Sequence, residues 1–185
     1  MSRRAAILAA TAAASVVGLI SYFWAQGLPA GLATATRNTA RFSGIAFALA
    51  LAARSARFDR WFANRWNLFW AFIAAHGVHF SAVAALAVLD VQHPLHQVNV
   101  ANTIILAGGF GLVLAAALTA GSADAPFRSR MHSFFFYFIG ASFLSAFSPR
   151  ALTSPASAVA LVCVLAALVL RAAPVRRSVT ASASA

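Results

Sequence analysis

The stretch AFIAAHGVHFSAVAALAVL, residues 71–89, sets His76 and His79 three residues apart inside an apolar run. A third histidine, His132, opens a second run, MHSFFFYFIGASF, that is both apolar and aromatic. Imidazole is costly to leave in hydrocarbon, and an ionisable side chain inside a membrane span is a functional-site hypothesis by default. Residues three apart on a helix share a face, so the pair presents two rings to one neighbour or one cavity. Neutral imidazole is a good iron ligand, and histidines on facing helices can hold a porphyrin between them. The bland counterpart is that each ring hydrogen-bonds a neighbouring helix and does nothing more. Zinc is the weaker metal reading, because no carboxylate or cysteine lies near the three histidines to complete a tetrahedral site.

Other residues carry less. Arg37 and Arg41, four apart, fall at the outer end of the second apolar segment. They suit the propionates of a haem, against ordinary snorkelling to the interface. His93 and His96, in VQHPLHQ, make an incomplete metal site and read as a solvated loop. AGGFG, residues 107–111, follows no strand and reads as close helix packing rather than nucleotide binding. The single cysteine, Cys163, excludes an intrachain disulfide and reads as a small hydrophobe.

The elements that would position these groups are membrane helices. Of 185 residues, 62% are hydrophobic and 9% charged, and mean hydropathy is +0.81. A soluble domain carries about a quarter charged residues, so this chain lacks the polar surface it would need. Six apolar segments mark out 5–26, 38–55, 67–89, 101–120, 129–148 and 154–171, each near the roughly 20 residues that cross a bilayer core. The expected fold is all-α: one polytopic six-transmembrane-helix bundle over 1–171, with a short polar tail at 172–185. The second segment is the weakest, since Arg41 and Arg54 bound it closely. Eleven of the fourteen arginines fall on one side of this arrangement, and only Arg37, Arg41 and Arg150 on the other. That bias predicts a multi-pass protein of a bacterial-type inner membrane with both termini cytoplasmic. Trp61, Trp66 and Trp70 suit an interfacial belt at the inner end of the third span. The apolar run after Arg3 and Arg4 is longer than a signal-peptide core, and reads as an uncleaved first helix. The net charge of +11 forms no basic stripe outside the spans, so nucleic acid is not an expected partner.

Three stretches resemble a known family. RWNLFWAFIAAHGVH (65–79), RSRMHSFFFYFIGASF (128–143) and TRNTARFSGIAFALALAARSAR (36–57) are similar to the third, fifth and second helices of the bacterial ferric reductase-like transmembrane family, which includes the haem-binding membrane subunit of the methionine sulfoxide reductase system. The resemblance spans about 36–150. It implies a six-helix haem b protein that moves electrons within or across the membrane, as an oxidoreductase component. Family members commonly carry a second histidine about thirteen residues further along the fifth helix. Here that region holds Ser145, so at most one bis-histidine haem is expected.

Depth along the spans favours one ligand pair. By a rise of 1.5 Å per residue, His76 lies roughly 3 Å inward of the middle of its span and His79 roughly 1.5 Å beyond it. His132 lies roughly 9–10 Å inward of the middle of its own. Depth therefore selects His76 with His132, whereas the resemblance points to His79. No flavin or nicotinamide motif is present, so a quinol or a separate reductase would supply electrons to a separate acceptor. The competing reading is a haem-free six-helix scaffold or accessory protein, surrounded by lipid, whose histidines are structural.

Overall fold

The computed structural model describes residues 2–53, 65–89 and 125–172, the side chains of 65 and 125–132 excepted. All the described secondary structure is helical: α1 Arg3–Trp24, α2 Leu28–Ala52, α3 Arg65–Leu89, α4 Ala125–Ala151 and α5 Pro155–Ala172. Helices α4 and α5 are the fifth and sixth apolar segments. The fourth segment, His93, His96, Trp61, the 107–111 glycines and the polar tail lie outside the described residues. Three helices are long and apolar enough to cross a membrane: Arg3–Trp24, Trp66–Leu89 and Pro155–Ala172. Five described helices, three of this kind, are the fold of a membrane protein. They fall short of the expected six-helix bundle.

Helix α2 departs most from expectation. It begins at Leu28, ten residues before the apolar segment read from sequence, and runs for 25 residues. At about 1.5 Å per residue that is long enough to cross a bilayer core of roughly 30 Å. Its start is set by Gly27, whose φ of 91° turns the chain out of α1, and by a proline in the first turn. Proline there needs no amide partner and arrives with φ already helical. Arg37 and Arg41 therefore lie inside the helix rather than at its edge.

The low apolarity of α2 follows from its place. At about 100° per residue, its sides meet four neighbours in turn. Asn38 meets α1 through Ser21, and Thr39 and Ser43 meet α3 through the two histidines. Gly44 and Phe47 meet α4 through Phe143, and Arg41 meets α5 through Ser154 and Ser157. A helix walled by helices needs small and polar residues for close approach, not a lipid-facing apolar surface. Gly31 shows how close: a Cβ there would stand 2.9 Å from the Tyr22 carbonyl oxygen.

The core is aromatic. Phe47, Phe69, Phe72, Phe135 and Phe136 are fully buried between α2, α3 and α4. Their rings interlock: Phe69 lies 5.9 Å from Phe135 and 5.8 Å from Phe136, and Phe47 lies 5.3 Å from Phe72. Such close ring-to-ring dispersion contacts hold α2, α3 and α4 together.

These pairs also fix direction and register. Phe69 meets Phe135 and Phe136, while His76, seven residues on, meets Phe143. Helices α3 and α4 therefore run parallel. The α4–α5 turn does not reach the level of the α1–α2 turn. Ser154 bonds Arg41, thirteen residues into α2, so the two turns differ by about 20 Å in height.

Candidate functional site

The α2–α3 interface brings His76 and His79 together, with ring centroids 5.6 Å apart. Each ring is held by a hydroxyl of α2 through its Nδ1. Ser43 Oγ lies 2.7 Å from His76 Nδ1, and Thr39 Oγ1 lies 3.3 Å from His79 Nδ1. The match is one of spacing. Thr39 and Ser43 are one turn apart on α2, His79 and His76 nearly one turn apart on α3, and the helices run antiparallel.

Thr39 favours one tautomer of His79. Its hydroxyl hydrogen goes to the Ala35 carbonyl at 2.8 Å, shared with the Thr36 carbonyl at 3.1 Å. The oxygen is then an acceptor toward the imidazole, so His79 Nδ1 carries the hydrogen and donates it. In the neutral ring of that tautomer Nε2 keeps its lone pair, the atom and charge state that ligates a metal. A metal-ligating histidine ordinarily donates its other ring N–H to a neighbour in this manner. Ser43 makes no comparable carbonyl bond, so its hydroxyl fits either tautomer of His76. The His79 ring also bonds the Thr36 backbone, so two groups of α2 hold it.

The two rings differ in access. His76 is 7% exposed and walled by Phe72, Phe80 and Phe143, with centroids at 5.3, 4.5 and 5.6 Å. His79 is partly exposed. Of the aromatic residues after His132, Phe135, Phe136 and Phe143 pack against Phe69 and Phe72 of α3. That closes the slot in which a porphyrin between those helices would lie.

His132 stands in the second turn of α4, its side chain outside the described residues. It precedes Phe143, the α4 residue level with His76, by eleven residues, or about 16 Å along the axis. This puts His132 level with the start of α3. The depth match between His76 and His132 expected from sequence is not present. It assumed that the middles of the two spans share a height, whereas α4 sits roughly 10 Å lower against α3.

Arg41 is also placed differently from expectation. It lies two residues from both Thr39 and Ser43, hence on the opposite side of α2 from the histidines. Its guanidinium bonds Ser157, Ser154 and Asn38. It cannot also reach the carboxylates of a cofactor bound at His79. The hydroxyl partners Thr39 and Ser43 were not singled out from sequence. Their signal was a pair of hydroxyl residues at a spacing of four on α2. Among the described residues no group of three His, Cys, Asp or Glu could hold a metal ion, which leaves zinc without a ligand set there.

No protein-family model, curated protein or solved structure matches this chain.

Proposed function

We propose that the chain is a haem b-binding membrane protein of electron transfer, with His79 as the axial ligand. The observation that carries this reading is the commitment of the Thr39 hydrogen to the Ala35 carbonyl. It favours the tautomer of His79 that donates from Nδ1, and in the neutral ring that tautomer keeps the lone pair on Nε2. That donor fits haem iron, and a bound haem b would supply one-electron transfer. Within the chain, Thr39 orients the ring and Ser43 fixes His76 behind it. The resemblance to the ferric reductase-like family agrees with His79, and a quinol or a reductase protein would serve as donor.

The topology belongs to the same reading. Parallel α3 and α4 require the chain between them to return to the starting side. The apolar stretch 101–120 is long enough for that return, which gives six spans and, by the arginine bias, cytoplasmic termini.

A second reading is favoured by the packing of His76: a haem-free scaffold in which both imidazoles tie α3 to α2. The absorption spectrum of protein purified from haem-replete cells separates the two. A Soret band with reduced-minus-oxidised b-type features supports haem. Protein that stays colourless on haemin titration overturns it in favour of the scaffold.

A further inference from the structure

Arg41 sits halfway along α2, level with the tip of the α4–α5 hairpin. Its Nε donates to Ser157 Oγ at 3.2 Å, Nη1 to Asn38 Oδ1 at 2.7 Å, and Nη2 to Ser154 Oγ at 2.8 Å and Ser157 Oγ at 3.1 Å. Asn38 is fixed in turn by donating to Ser21 Oγ at 2.8 Å, and the Ser21 hydroxyl donates to the Val17 carbonyl at 2.6 Å. The guanidinium is thus held by residues of α1, α2 and α5 rather than reaching freely for an interface. Every one of these partners is neutral, so its orientation is fixed while its charge is left standing.

The surroundings add positive charge. Ser154 immediately precedes α5, and the amides of Ser157 and Ala158 close onto its carbonyl at 3.0 Å, so Arg41 faces the positive end of that helix. Arg37, one turn along α2, and Arg150, in the last turn of α4, both act on Arg41 electrostatically. Among the described residues Arg37 bonds only the Ala33 carbonyl and Thr34 Oγ1 of its own helix, and Arg150 only the Ala146 carbonyl. Both are exposed and keep further N–H groups unengaged.

No acid is present among the described residues. The chain has three, Asp59, Asp90 and Asp124, and all lie outside the described residues. Among the described residues three guanidinium groups therefore stand here without a carboxylate, a local positive surplus. Guanidinium groups match the oxygens of phosphate in geometry and charge. Three of them around one hairpin tip suit an anion with several oxygens better than a halide.

We propose that Arg37, Arg41 and Arg150 form a binding site for a phosphate-type anion at the α4–α5 hairpin tip. Arg41 is the fixed floor of the site, and Arg37 and Arg150 are its adjustable arms. The site lies on the opposite side of α2 from the histidines and does not depend on haem. The source of the phosphate is a lipid headgroup or a free anion entering from the same face.

The test is thermal unfolding of the full chain in neutral detergent, followed by tryptophan fluorescence. Inorganic phosphate is titrated at constant ionic strength against chloride, and phosphatidylglycerol against phosphatidylcholine. The proposal expects a saturable rise in Tm with phosphate or with phosphatidylglycerol for the wild type and for Arg3→Gln, which alters the opposite end. It expects apparent affinity about tenfold or more weaker in Arg37→Gln/Arg150→Gln, from loss of hydrogen bonds to a charged group. Both residues are exposed and bond only their own helix, and the single Arg150→Gln gives the same comparison if the double variant does not fold. A response to phosphatidylglycerol alone assigns the headgroup, and a response to inorganic phosphate assigns a free anion. The proposal is overturned if the wild type shows no saturable response, if chloride matches phosphate, or if the variants respond like the wild type.

Discussion

Thr39 Oγ1 lies 3.3 Å from His79 Nδ1 while giving its hydrogen to the Ala35 carbonyl 2.8 Å away. A hydroxyl has one hydrogen to give. The shorter bond to the carbonyl favours the arrangement in which the imidazole donates in the longer one. A single threonine, fully buried in α2, thereby favours one tautomer of a histidine forty residues away on α3.

Thr39→Val keeps the shape of the side chain and removes the acceptor. His79 Nδ1–H then loses its partner and the ring its orientation. Haem affinity should fall about tenfold or more, the usual cost of losing the group behind a metal-ligating histidine. Thr39→Ser restores the acceptor and should restore affinity. Haemin titration of both variants checks this.

Ser43→Ala acts on the other imidazole. It strands His76 Nδ1 in a buried site, which should cost about 1–3 kcal/mol of stability. Under the proposed assignment haem content per folded protein stays near wild type. A lower Tm with an unchanged Soret-to-protein ratio is the expected result.

Gly31→Ala should destabilise the α1–α2 hairpin by about 1–3 kcal/mol, because the new methyl group meets the Tyr22 backbone, which cannot swing aside. Gly77→Ala serves as the control. A Cβ there meets nothing within 4 Å, and alanine is the better helix former by up to about 1 kcal/mol. Unfolding midpoints of the two variants should move in opposite directions.

The helices were legible where a long apolar run faces lipid, as in α1, α3 and α5. They were less so where the helix is buried among others. Helix α2 looked short because Arg37 and Arg41 were read as its outer boundary. Those arginines are internal, Arg41 being satisfied by Ser154 and Ser157, and the true start was written in Gly27 and the following proline. The histidine pair was legible as a site because its spacing and surroundings are local facts. Which residue of α4 faces it was not, because the height of one span against another depends on how Phe143, Phe72 and Phe47 interlock. The side of α2 that Arg41 faces was not legible for a related reason: a spacing of two residues from Thr39 places it away from α3, and that matters only once α3 is known to be the partner.

Reporter fusions test the topology that parallel α3 and α4 support. A reporter after Gln92 should read outside and one after Ser178 inside. The same side for both would mean that an odd number of the last three spans does not cross.

Haem occupancy at matched protein levels, compared across His79→Ala, His76→Ala and His132→Ala, bears most directly on the assignment of His79. The account predicts loss of the Soret band in His79→Ala, with substantial retention in the other two. Full retention in His79→Ala, with loss in His76→Ala and His132→Ala, would contradict it and restore the ligand pair favoured by depth along the spans.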